Sequence, residues 1–213
     1  MKILLLFPPD WLPSEPYLSL PALTSVLRPA GHKVIQKDIN VEMYDMFFSR
    51  TFLEHVSGRI ATELNHLLHV EKQRVLDEEE STLKAQLLQS TPEVLSQLAS
   101  DAEEAKEILR GERFYDIDKL EWATNTLHQT MAHISLGYYP AQICFPPIET
   151  DLTYKPFMSS EILESLDDDQ INVYRDVYQQ LIAPVMEEEN PGMVGISIVQ
   201  QKQIIPTFTF SKM

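Results

Sequence analysis

Only one cysteine, Cys144, occurs in 213 residues, so no disulfide can close within the chain and no multi-cysteine iron–sulfur or zinc site can be built from it. A reducing compartment follows, and the cytoplasm is the expected location. Glycine is scarce, with six residues, and no Gly-x-Gly-x-x-Gly or phosphate-loop pattern follows the first apolar run. A dinucleotide held by a glycine turn is therefore disfavoured. Long hydrophobic runs are missing too: the opening Ile3-Leu4-Leu5-Leu6-Phe7 halts at Pro8-Pro9, far short of the ~20 residues that span a membrane. Positive charge is thin, with 17 Lys and Arg against 32 Asp and Glu and a formal charge of −15. Phosphate contact needs clustered cations, so nucleic acid and anionic membrane are not expected partners.

What is present is unevenly built. Residues 1–40 are close to neutral, and the acidic excess lies beyond Asn40. Residues 2–7 form a continuous apolar run of the kind found in a strand covered on both faces of a parallel sheet. Ser19 is placed to cap a helix with Pro21 in its first turn, and Leu20, Leu23, Val26 and Leu27 follow at helical spacing until Pro29 and Gly31 stop it. Residues 32–39 read as a second strand, completing a βαβ unit. Residues 193–199 form a third apolar, β-rich run, and 203–210 begin a further crossover helix.

Between 41 and 190 the period lengthens to helical stripes. Phe52, Val56, Ile60, Leu64 and Leu67 make one; Leu120, Ala123, Leu127, Met131 and Ile134 another; Ile171, Tyr174, Val177, Tyr178, Leu181 and Val185 a third. Residues 83–89 and 92–109 add weaker helices, with Thr91-Pro92 as a fresh start, and 137–160 read as an extended, aromatic-rich connection. The expected domains are an incomplete α/β domain, 1–40 plus 191–213, and an acidic helical insertion, 41–190. Three strands with an apolar edge imply a sheet cut short, so a fragment of a longer protein is expected.

In open α/β sheets ligands sit beyond the carboxyl ends of the strands. Here those ends lead into residues 7–14, 38–40 and 197–200, which share one crevice if the first strand is central. Pro8 and Pro9 offer no amide hydrogen to a pyrophosphate, whereas a flat cofactor fits the apolar surface of Pro8, Pro9, Trp11, Leu12 and Leu20. Pro8-Pro9 could equally be a mere strand stop and Trp11 a core residue. Glu63-x-x-His66 is half of a di-iron helix motif without its second half, so no side-chain metal site is expected. Asp167-Asp168-Asp169 lacks the glycine of a calcium loop and is expected to favour the start of the next helix. Cys144 is expected to be packed rather than nucleophilic.

Leu-Leu-Phe-Pro-Pro (5–9), Pro-Tyr-Leu-Ser-Leu-Pro-Ala-Leu (16–23), Gly31-His32-Lys33-Val34, Asp38-Ile39-Asn40 and Val-Gly-Ile-Ser (194–197), more weakly Gln-Ile-Ile-Pro (203–206), occur in an order that resembles the N-terminal cobalamin-binding region of B12-dependent radical SAM proteins. The resemblance implies a partial flavodoxin-like (Rossmann-type) parallel sheet of about three strands with a large, mostly α-helical insertion. It implies a corrinoid-binding module of methyltransferase-like type, placed before a radical SAM barrel that would hold S-adenosylmethionine and a 4Fe-4S cluster. That barrel would lie in a missing C-terminal part. Carried over by position, Pro8, Pro9, Asp10 and Ser14 line the corrin side, Leu20 supports it, and Asp38, Asn40 and Ser197 border the crevice. The Asp-x-His-x-x-Gly motif that supplies a lower histidine ligand is absent, as Ile39 and Asn40 follow Asp38, and so is Cys-x-x-x-Cys-x-x-Cys. Alone, the chain would not be catalytic. Two alternatives remain: the N-terminal half of a two-Rossmann glycosyltransferase, and a helical protein-interaction module in which the βαβ unit is scaffold.

Overall fold

The computed structural model describes residues 1–12, 15–144 and 149–213. Three strands, β1 (Lys2–Phe7), β2 (Lys33–Asp38) and β5 (Met193–Ile196), form a parallel sheet in the order β2-β1-β5. Leu4 faces Ile35 on one side and Val194 on the other. The central position of β1 explains its unbroken apolar run, because Ile3, Leu5 and Phe7 are buried on one face and Leu4 and Leu6 on the other. Ile3, Leu5, Phe7, Leu20 and Val34 form one core cluster, joined by Trp11, Leu27 and Val199 at its margin. The fold is α/β, with a partial parallel sheet and a large helical insertion.

Helix α1 (Ser19–Leu27) connects β1 to β2. Its cap differs from expectation: Leu18 occupies the N-cap position and no side chain caps the end, because Ser19 already lies within the helix. Helix α2 (Ile39–Phe47) follows β2 directly. The chain then divides into two compact units, one comprising residues 1–45 and 151–213 and the other 46–150. The sequence places the insertion at 41–190, whereas 41–45 and 151–190 cluster with the sheet unit.

The helical unit contains α3 (Arg50–Glu71), α4 (Glu78–Gln89), α5 (Pro92–Arg110) and α6 (Ile117–Gly137). Ser49, Asp77, Thr91 and Asp116 cap their amino ends through side-chain oxygens, and Asp77 with Glu80 completes a capping box. Ala99, Ala102 and Ala105 are buried on α5, which packs closely on α6. Gly137 permits a similarly close approach, since a Cβ there would stand 3.0 Å from Val56 Cγ1. Phe47 and Phe52 stack at 4.9 Å, and the Arg59 guanidinium lies 4.1 Å from the Tyr138 ring centre. Two short strands, β3 (Gln142–Cys144) and β4 (Glu149–Asp151), interrupt the stretch read as a plain extended connection. Cys144 is exposed rather than packed, because it stands on the outward side of three-residue β3.

In the sheet unit, α7 (Ser159–Asp167), α8 (Val173–Leu181) and α9 (Ala183–Glu189) precede β5, and α10 (Ile204–Lys212) follows it. The single stripe expected over 171–185 is two helices, since Pro184 begins a new first turn after Ile182. The aspartate run closes the α7–α8 turn instead of starting α8: Asp168 Oδ1 accepts from the amides of Gln170 and Ile171 at 2.9 and 3.2 Å, and Asp169 pairs with Arg175. Among the described residues no helix is long and apolar enough to cross a membrane.

Candidate cofactor site

Parallel alignment brings three chain turns to one sheet edge. Phe7 pairs in register with Asp38, and Leu6 with Ile196. The turns leaving β1, β2 and β5 therefore start side by side. They are joined by hydrogen bonds between residues far apart in sequence. The Trp11 amide donates to Asn40 Oδ1 at 3.0 Å, which ties the first turn to the second. Gln203 Nε2 donates to the Pro8 carbonyl at 3.0 Å while its Oε1 accepts from the Val199 amide at 2.9 Å, which ties the first turn to the third. Gln200 donates to the Asp10 carbonyl. The Ser197 amide donates to Leu6 O at 2.9 Å and extends the β1–β5 pairing by one residue.

Asp10 is the electrostatic centre of this edge. It is buried and adopts a left-handed backbone conformation, φ 70°, which aspartate tolerates better than most residues. The Tyr174 hydroxyl, from α8, donates to Asp10 Oδ2. Tyr44 and Tyr178 are also buried, and both phenols are held far above the ordinary tyrosine value, first by desolvation and then by the negative charge of Asp10. Asp38, half-buried, is raised above the usual carboxylate range mainly by desolvation, although its Oδ1 accepts from the Val41 amide at 3.2 Å.

Of the residues expected at the crevice, the structure brings Pro8, Pro9, Asp10, Asn40, Asp38 and Ser197 to this edge. Pro8, Pro9, Asp10 and Asn40 are buried and form its floor, while Asp38 and Ser197 are half-buried beside them. Leu20, on the buried face of α1, lies in the core cluster instead. Ser14 lies outside the described residues. The exposed apolar surface of the same turns is supplied by Leu12, Tyr17, Leu18 and Ile198. Tyr17 stacks on Phe7 at 5.6 Å and meets Trp11 edge-on at 5.6 Å, so this surface is anchored to the core. Leu12 was legible as apolar loop surface, whereas Gln200 was legible only as the end of the third turn, Gln203 only as part of a weak motif and Tyr174 only as a helix-stripe residue. No local pattern marks a side chain that reaches back more than 160 residues.

Among the described residues no group of three or more His, Cys, Asp or Glu side chains could hold a metal ion. His69 meets Gln73 at 2.7 Å within one helix, and His133 Nδ1 of α6 meets Ser90 Oγ at the end of α4 at 2.9 Å. Comparison of the chain with family models, with curated proteins and with solved structures returned no match.

Proposed function

We propose that the sheet unit is a corrinoid-binding module of the kind that precedes the barrel of B12-dependent radical SAM proteins, and that it is not catalytic alone. The observation that carries this reading is the meeting of the motif segments 5–9, 38–40 and 194–197 at one edge of a parallel sheet whose central strand is β1. Ligands of open α/β sheets bind at this edge.

The residues present fit a corrinoid held by its flat face. Pro8 and Pro9 lack amide hydrogens, so the floor offers few donors to a nucleotide diphosphate. Leu12, Tyr17, Leu18 and Ile198 offer flat apolar contact. His32 immediately precedes β2, at the opposite end from the candidate edge, so none of the turns at that edge brings an imidazole as a lower cobalt ligand. Bound corrinoids of this class supply methyl-group transfer. The contribution of this chain would be to seat the group and exclude water from its protein-facing side. S-Adenosylmethionine and the 4Fe-4S cluster belong, in this reading, to a separate barrel domain.

The test is direct. Purified protein mixed with hydroxocobalamin should retain visible absorbance through gel filtration, and Leu18→Asp combined with Ile198→Asp should abolish retention while leaving the circular dichroism spectrum unchanged. Absence of retained absorbance with the unaltered protein would overturn the proposal.

A further inference from the structure

The short 3₁₀ turn joining α5 to α6, Glu112–Tyr115, buries none of its side chains. Within four residues it leads out three large apolar groups: Phe114 is 42 %, Tyr115 88 % and Ile117 73 % exposed. Isolated exposed apolar side chains are ordinary, but a contiguous group containing two aromatics is the composition of an interface anchor.

This tip is held in shape. Phe114 and Tyr115 meet edge to face with ring centres 5.5 Å apart. The Phe114 amide donates to Gly111 O at 3.2 Å and the Asp116 amide to Arg113 O at 3.1 Å. Asp116 Oδ1 then accepts from the amides of Asp118 and Lys119 and caps α6. Arg113 reaches back to α5, 3.0 Å from Glu104 and 3.6 Å from Glu107. A preorganised knob loses little conformational entropy on docking, which is where flexible loops forfeit affinity.

Charge selects the partner. Glu112, Asp116, Asp118 and Glu121 flank the apolar group in sequence alongside Arg110, Arg113 and Lys119, and Arg113 is already held by the α5 carboxylates Glu104 and Glu107, so carboxylates outnumber cations at the tip. Such a fringe is repelled by anionic bilayers and by nucleic acid. It is attracted to a protein surface whose apolar centre is rimmed by Lys and Arg.

We propose that the α5–α6 tip is a docking knob for a basic amphipathic segment of a partner protein, with Tyr115 and Ile117 as anchors and the acidic fringe setting orientation. This inference concerns the helical unit and does not depend on the cofactor reading. The probe is a fluorescently labelled synthetic helix of about four turns, with leucine on one face and lysine on the other, titrated into the full chain and followed by anisotropy. Binding is expected, weakened at least about tenfold by Tyr115→Ser with Ile117→Ser and further reduced by salt. Both positions are exposed, so an unchanged thermal melt will show that the variant is folded. Undiminished binding by the variant, equal binding of the same helix with glutamate in place of lysine, or no binding at all would overturn the proposal. Binding of the tip to vesicles of anionic phospholipid would overturn it as well.

Discussion

The two units keep order in different ways. In the sheet unit the interior contains buried polar side chains from distant parts of the chain: Asp10, Asn40, Asn172 and Gln203 are nearly inaccessible, and Asn172 Nδ2 joins Ser165 O to Thr209 Oγ1 at 2.8 and 2.9 Å. In the helical unit the buried polar groups are small hydroxyls such as Thr130, which bonds Thr126 O within its own helix, and Ser90, which bonds Gln86 O and also meets His133 Nδ1 of α6. Many of its longer polar side chains lie in surface pairs such as Arg74–Glu80 and Lys84–Glu71, while half-buried Arg59 donates to Gly137 O at 2.8 Å. Buried directional bonds specify one arrangement of turns, whereas apolar helix packing is specified mainly by volume. A fixed edge is what a ligand site requires. A helical hairpin needs only to present its tip.

That contrast can be broken most strongly with alkali. Tyr44 and Tyr178 have folded pKa values raised above the unfolded value, which is near 10. Their stabilising contribution is complete below about pH 10 and is lost as pH rises beyond it, because the unfolded chain ionises first. Hydrogen exchange measured from pH 8 to 11, corrected for intrinsic rates, should show β1 and α8 losing protection before α3 and α5. Simultaneous loss would contradict the assignment.

A volume lesion should have the opposite polarity. Phe52 is fully buried in the helical unit, so Phe52→Ala is expected to cost about 3–5 kcal/mol. Urea unfolding followed through the fluorescence of Trp122, with Trp11 replaced by Phe, should move to lower midpoint. An effect below about 1 kcal/mol would show that this aromatic cluster is not the organising core.

Acid supplies the smallest effect and sharpens the comparison from the other side. Glu80 is held at about 2, below its ordinary 4.5, first by Arg74 and then by the Asp77 amide. Its contribution is present above pH 4.5 and fades as pH falls toward 2. The pair is exposed, so the loss should appear as fraying at the start of α4 and vanish in high salt. Backbone NMR shifts of residues 78–82 through an acid titration, compared with Glu80→Gln, would test it.

Much of the sheet was legible because β1 and β5 are short apolar runs between Pro or Gly stops, and strand position follows from burial on both faces. The α3 and α6 stripes were legible for the same reason at a different period, and α5 from its helix-forming composition and the Thr91-Pro92 start. The break at Ile182 was missed because the apolar spacing runs through it, although Pro184 was the available signal. β3 and β4 are three residues each and leave no periodicity. The floor of the candidate site was half legible: Pro8, Asp10 and Asn40 follow strand ends, whereas Gln200, Gln203 and Tyr174 act across the fold.

The central place of β1 also sets a clock. Its Leu4, Leu5 and Leu6 amides lie between two neighbouring strands and beneath apolar cover on both sides, so no edge fluctuation alone releases them. Their exchange with solvent deuterium should be the slowest in the sheet unit and should report the free energy of opening that whole unit. Any molecule that settles on the adjoining turns, whatever its chemistry, would then announce itself as further slowing of those three amides, by a factor that grows with its concentration over its dissociation constant.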